Sequence, residues 1–120
     1  MKLNHLDLSV PDVQAALTFF EDVFELRCTS NRSSPALVFL TDDDGFVLVL
    51  QRARSTDPLV YPDGFHIGFI VADPALVHTR HARFVATGHA VGDVQVNGRG
   101  TMFYAHAPGG ILVEVSCRAA

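Results

Sequence analysis

The sequence predicts an α+β fold built from two copies of a strand–helix–three-strand unit, and three observations predict it. The order strand, helix, strand and hairpin can be read twice along the 120 residues. The opening segments of the two halves superimpose at one constant offset, with His5 on His66, Leu6 on Ile67, Leu8 on Phe69, Val10 on Val71 and Asp12 on Asp73. The closing strands superimpose at a slightly longer offset, with Gly45 on Gly110, Leu48 on Val113 and Val49 on Glu114. A repeat of half the chain length marks stacked or paired units that bury a shared surface. The chain is therefore taken as a single domain, 1–120, with a first module over about 1–56 and a second over about 62–120.

Taken in order, "LNHLDLSV" alternates apolar and polar residues as a half-buried strand does, and Pro11 closes it. Asp12 is a good N-cap for the helix in "DVQAALTFFEDVFEL", where Val13, Ala16, Leu17, Phe20, Val23 and Phe24 fall on one stripe. A short strand is expected from Arg27 to Ser30. "PALVFLTDDDGFVLVLQ" is a hairpin, two apolar runs around an Asp-Gly turn. After a loop with Pro58, Pro62 and Gly64, "FHIGFIVAD" is a strand. "PALVHTRHARFVATG" is a helix with Pro74 at its start and Gly88 as C-cap, expected to bury Leu76, Val77, Phe84 and Val85. "AVGDVQV" is a strand, and "GTMFYAHAPGGILVEVSC" is a hairpin turning at Pro108, Gly109 and Gly110.

Composition excludes several classes of function. Nine basic residues spread along a chain of net charge −4 leave no electrostatic footprint for nucleic acid. No apolar run reaches the length of a membrane span, and "MKLNHLDLSV" lacks the apolar segment of a signal peptide, so a cytoplasmic location is expected. A charged fraction of only 18% suggests that much surface is covered, and a homodimer is the expectation. Cys28 and Cys117 make neither a disulfide framework nor a CxxC metal site, and are read as small packing residues. Asp42, Asp43 and Asp44 precede Gly45 between two strands and are read as a solvated turn.

One residue breaks the apolar pattern. Glu114 stands within "GGILVEVSC" among Ile111, Leu112, Val113 and Val115. An ionised carboxylate buried alone costs several kcal/mol, so it needs a partner: a proton, a counter-charge or a metal ion. His5 and His66 hold the same place in the first strand of each half. Each alone is explained as a hydrogen-bonded core histidine. Together, paired units bring repeat-equivalent first strands side by side, and the last strand adds the carboxylate. Two imidazoles and a carboxylate suit Fe(II), Mn(II), Zn(II) or Ni(II), with positions left for water or substrate.

The segments "LNHLDLSVPDVQAALTFFEDVFEL", "FHIGFIVAD" and "FYAHAPGGILVEV" resemble the vicinal oxygen chelate superfamily, which includes glyoxalase I, fosfomycin-resistance thiol transferases, extradiol dioxygenases and bleomycin-resistance proteins. The resemblance covers nearly the whole chain. It implies βαβββ modules paired into a cupped mixed sheet, a homodimer, and a divalent metal held by His5, His66 and Glu114. In members that swap modules between chains, it implies that His5 comes from the opposite chain.

Departures from the pattern bear on the chemistry. Glyoxalase I enzymes carry a fourth ligand, a glutamate, where this chain has Val49. The dioxygenase signature places a tyrosine ten residues before the glutamate, and Tyr104 stands there, but the upstream acid/base histidine is replaced by Asn97 and Arg99. His106 is no clean substitute, since it shares a strand face with Tyr104 but lies beside the turn. The fosfomycin enzymes share the three-ligand pattern, yet their basic and hydroxyl cluster is matched only in general position, by Arg99 and Thr101.

Tyr104 is a candidate general acid or hydrogen-bond donor. Arg99, between Gly98 and Gly100, is a candidate clamp for an anionic substrate. His78, His81 and His89 are explained by an exposed helix face. Two functions follow from the resemblance. One is a metal-dependent enzyme (a lyase or isomerase, a thiol transferase or a dioxygenase) whose small substrate chelates the metal through vicinal oxygens. The other is a dimeric binding protein of the bleomycin-resistance type that sequesters a drug or metabolite, a role that gains nothing from three aligned ligands.

Overall fold

A computed structural model describes residues 1–120. The chain divides into two compact units, Met1–Val60 and Tyr61–Ala120. The first contains β1 (His5–Val10), α1 (Val13–Phe24), β2 (Arg27–Cys28), β3 (Leu37–Thr41) and β4 (Val47–Arg52). The second contains β5 (His66–Ile70), α2 (Pro74–Ala86), β6 (Gln95–Asn97), β7 (Gly100–His106) and β8 (Leu112–Arg118). Each unit is a four-stranded mixed sheet with one helix, in the order β1-β4-β3-β2 and β5-β8-β7-β6. This is the α+β, twice-repeated βαβββ order that the sequence predicts. The registers repeat as well. Asp7 pairs with Val49 and Gly68 pairs with Glu114, so repeat-equivalent residues face one another in both parallel pairings.

In the first unit, Asp12 caps α1 by accepting the Ala15 N–H at 3.1 Å. Glu25 ends the helix in the left-handed region at φ 58. Val13, Ala16, Leu17, Phe20 and Val23 are buried as expected, and Phe19 joins them, with its ring edge-on to Phe20 at 5.1 Å. Phe24 is only half-buried, because it sits in the last turn, where the chain leaves the helix. The triple aspartate is a turn: Asp42 Oδ1 accepts from the Asp44 and Phe46 N–H groups.

In the second unit, Pro74 opens α2 and Asp73 accepts the Ala75 N–H at 2.8 Å. The C-cap is Thr87, and Gly88 supplies the left-handed residue after it. Of the four residues expected to be buried, Val77 and Phe84 are, whereas Leu76 and Val85 are 48% and 60% exposed. Val77 and Phe84 are seven residues apart and share a face, while each of the other two is rotated about 100° away from it. Phe84 meets Phe103 edge-on at 5.2 Å, and so does His81. His81 is therefore not a solvent-facing residue: its Nε2 bonds the Gly92 carbonyl at 2.9 Å. The helix side of this sheet takes Val113, Val115 and Cys117 of β8, all buried. Glu114 lies on the other face, between them in sequence but outside the core. No helix is long and apolar enough to cross a membrane.

Candidate metal and substrate site

The open face of the second sheet carries Glu114, Ser116 and Arg118 along β8. Strand register fixes their neighbours. Glu114 stands between Gly68 and Tyr104, Ser116 pairs with Met102, and Arg118 pairs with Gly100. A cavity of about 810 Å³ lies on this face, lined by His66, Gly68, Arg99, Met102, Glu114 and Arg118 among others. Gly68 keeps the space beside Glu114 open, since a Cβ built there meets nothing within 4 Å.

His66 Nε2 lies 3.2 Å from Glu114 Oε2. The other ring nitrogen, Nδ1, is 2.8 Å from the Gly64 carbonyl. A carbonyl only accepts, so Nδ1 carries the proton, and in the neutral ring Nε2 presents a lone pair to a carboxylate oxygen. Two acceptors in that position require a shared cation, either a proton or a metal ion. Two ligands about 2.0–2.2 Å from one ion, at the angles of octahedral or tetrahedral coordination, stand about 2.9–3.5 Å apart. The pair fits that spacing. An Nδ1–H bound to a backbone carbonyl is also the usual second-shell arrangement of a metal-ligating histidine.

Within the second unit no further histidine, cysteine or carboxylate completes a group of three. His5 belongs to β1 of the first unit, where it is exposed. Its Nδ1 lies 2.8 Å from the side-chain amide of Asn4. The two histidines share a repeat position, the first residue of β1 and of β5.

Tyr104 is beside Glu114 in register, and its ring meets that of His66 edge-on at 6.1 Å. Its hydroxyl lies 3.9 Å from Met102 Sδ. Burial pushes the phenol above its ordinary range, and the Glu114 carboxylate adds to this against the pull of Arg99. Burial does the same to Tyr61, the only other tyrosine. The native state therefore holds both phenol protons more tightly than the unfolded chain does. That stability is complete below the unfolded value of 10.0 and is lost as pH rises through the folded values. Spectrophotometric titration of phenolate is expected to run to higher pH in the native protein than in denaturant. Coincident curves would contradict the environment described for both rings.

Arg99 is held by its backbone: its N–H donates to Asn97 Oδ1 at 2.9 Å and its carbonyl accepts from Ala119 N–H at 2.9 Å. Its guanidinium reaches Met102 Sδ at 3.8 Å. Thr101 is buried on the helix side of the sheet and plays no part here. His106 lies at the turn, bonded to the Gly110 carbonyl. Four of the five sequence-predicted residues, His66, Glu114, Tyr104 and Arg99, thus gather on one face of one unit. Met102 and Arg118 were not singled out by sequence. Alternation from Glu114 would have placed Arg118 on the same face, but only the register of β7 shows what lies beside it.

Comparison with known proteins agrees with this architecture. The family described as the Glyoxalase/Bleomycin resistance protein/Dioxygenase superfamily matches residues 2–115. A search of curated proteins gives no match. Among solved structures, a possible glyoxalase from Bacillus cereus is 35% identical with a TM-score of 0.84, covering 98% of this chain and 99% of that one. Lactoylglutathione lyase from Agrobacterium tumefaciens is 25% identical with a TM-score of 0.75, covering 97% and 92%. At 19% identity and a TM-score of 0.77, covering 98% and 92%, a mutant of the fosfomycin resistance protein FosX from Listeria monocytogenes, complexed with Mn(II) and 1S,2S-dihydroxypropylphosphonic acid, shares the fold. With its repeated βαβββ order and a match over nearly its whole length, this chain belongs to the Glyoxalase/Bleomycin resistance protein/Dioxygenase superfamily.

Proposed function

We propose that this chain is a divalent-metal-dependent enzyme of the glyoxalase or dioxygenase type, acting on a small molecule that presents two vicinal oxygens. The observation that carries the reading is the His66–Glu114 pair, two acceptors 3.2 Å apart that need a cation between them. His66 Nε2, Glu114 and His5 are the proposed ligands of Fe, Mn, Zn or Ni, with His5 supplied by the same chain or by a second copy. When bound, such an ion acts as a Lewis acid on paired substrate oxygens. Tyr104, which keeps its proton well above neutral pH, is the proposed hydrogen-bond donor or general acid. Arg99 is the proposed contact for an anionic part of the substrate. The protein is proposed to work as a cytoplasmic homodimer, in keeping with its low charged fraction and with exposed Leu37, Phe39 and Ile70 on its strands.

The test is elemental analysis of protein purified without a polyhistidine tag. About one divalent metal per chain is the expected content. No metal, together with no rise in thermal stability on adding Mn(II), Fe(II), Zn(II) or Ni(II), would overturn the proposal.

A further inference from the structure

The first unit holds a cavity of its own, of about 470 Å³, where β1 and β4 end. Leu48 and Leu50 of β4 are buried, and Arg52 is the next residue in the same period-two series. It pairs with Val10, the last residue of β1, and so emerges where the core stops. The Ala53 N–H then donates to the Val10 carbonyl at 2.9 Å, which holds the chain beside Pro11. Further on, Ser55 Oγ accepts from the Asp57 N–H at 3.1 Å and turns the segment, so that Pro58 and Leu59 also line the cavity. None of the lining residues belongs to the proposed metal and substrate site.

Two guanidinium groups, Arg52 and Arg54, line this cavity together with the hydroxyl residues Ser55 and Thr56. The other arginines of the unit are already paired, Arg27 with Asp43 at 2.6 Å and Arg32 with Glu21 at 2.7 Å. No hydrogen bond or ion pair engages the side chain of Arg52 or of Arg54. Asp57 is the one carboxylate among the lining residues, so the cations outnumber it. Two unpaired guanidinium groups in one concavity repel each other, and an anion between them offsets that cost. A phosphate monoester suits the pair best: it carries close to two charges at neutral pH and offers three oxygens, enough for two forks and a hydroxyl donor. Pro11, Pro58 and Leu59 add an apolar wall, and the volume is that of a small-molecule pocket.

We infer that Arg52 and Arg54 form a binding site for a phosphomonoester, a small molecule with a phosphate group and an apolar or aromatic body. The phosphate lies between the two guanidinium groups and accepts from Ser55 or Thr56, and the body rests on Pro11, Pro58 and Leu59. The site does not depend on the proposed function, since it uses no residue of the second unit and no metal.

The test is titration of the full chain with phenyl phosphate and, separately, with inorganic phosphate, followed by calorimetry and by proton–nitrogen NMR. Saturable binding of phenyl phosphate is expected, about tenfold tighter than that of inorganic phosphate because the ring adds apolar contact. The amides of Ala53, Arg54, Ser55 and Thr56 are expected to shift. Arg52→Gln and Arg54→Gln should each weaken binding about tenfold. The corresponding lysine variants should fall between, since they keep the charge and lose the fork. Arg27→Gln is the control: its guanidinium is held by Asp43, so binding should match wild type, which separates this site from a general attraction of anions. Thermal melts of each variant report folding. Phenyl phosphate binding that does not saturate, amide shifts confined to the second unit, or folded Arg52 and Arg54 variants that bind as tightly as wild type would overturn the site. Inorganic phosphate that binds as tightly as phenyl phosphate would overturn the apolar wall.

Discussion

Glu114→Gln is expected to weaken divalent-metal binding by on the order of a hundredfold or more, because it replaces the one anionic ligand by a neutral amide of the same shape. The carboxylate is half-buried, with 18% of its side chain exposed, and its nearest cationic candidate is the imidazole whose Nδ1 is already committed to Gly64. Stability gives the same test another readout. A metal present at a hundred times its dissociation constant stabilises the native state by about 2.7 kcal/mol, which the variant should not gain. The comparison is of the gain in stability on adding metal, so any metal-free difference caused by losing the His66–Glu114 contact cancels. If Glu114→Gln binds metal as tightly as wild type, the carboxylate is not a ligand.

Gly100→Ala carries the largest expected cost to the fold. Its φ of +138 is in the region that disfavours side chains, which alone costs about 1–3 kcal/mol. The new methyl would also lie 2.0 Å from the Cys117 oxygen, 2.8 Å from Ala119 N and 2.9 Å from the Arg118 carbonyl carbon. These are backbone atoms and cannot swing away. The clash opens the end of the β7–β8 ladder, at about 1 kcal/mol for each hydrogen bond lost. A total of roughly 3–5 kcal/mol is expected in chemical denaturation. Gly110→Ala is the control: φ is +97 there too, but nothing lies within 4 Å, so only the strain of about 1–3 kcal/mol applies. Equal losses in the two variants would show that the close approach is not as described.

Much of this arrangement was legible in the sequence, because the chain states its pattern twice. Repeat-equivalent residues suffice to align His5 with His66 and Val49 with Glu114, and the observed registers follow that alignment. What alignment does not carry is the face of an element. Glu114 looked like a charge inside a buried run, yet period-two alternation sends it to the open side of the sheet, while Val113 and Val115 fill the core. Helical stripes were broader on paper than in the fold: α2 buries a narrow line through Val77 and Phe84, and leaves Leu76 and Val85 exposed. Residues whose position depends on contacts distant in sequence were least legible. His81 turns inward because Gly92 offers it a carbonyl, and the backbones at Gly100 and Cys117 approach closely because a glycine has no Cβ to hold them apart.

The most direct test of the shared cation is nitrogen NMR of histidine-labelled protein, recorded without metal and with excess Zn(II). The result expected is that Zn(II) moves the Nε2 resonance of His66 to a metal-bound position, while Nδ1 keeps the proton it donates to Gly64. Retention of protons on both ring nitrogens in excess Zn(II) would show that His66 and Glu114 form a protonated ion pair, and would contradict the metal site.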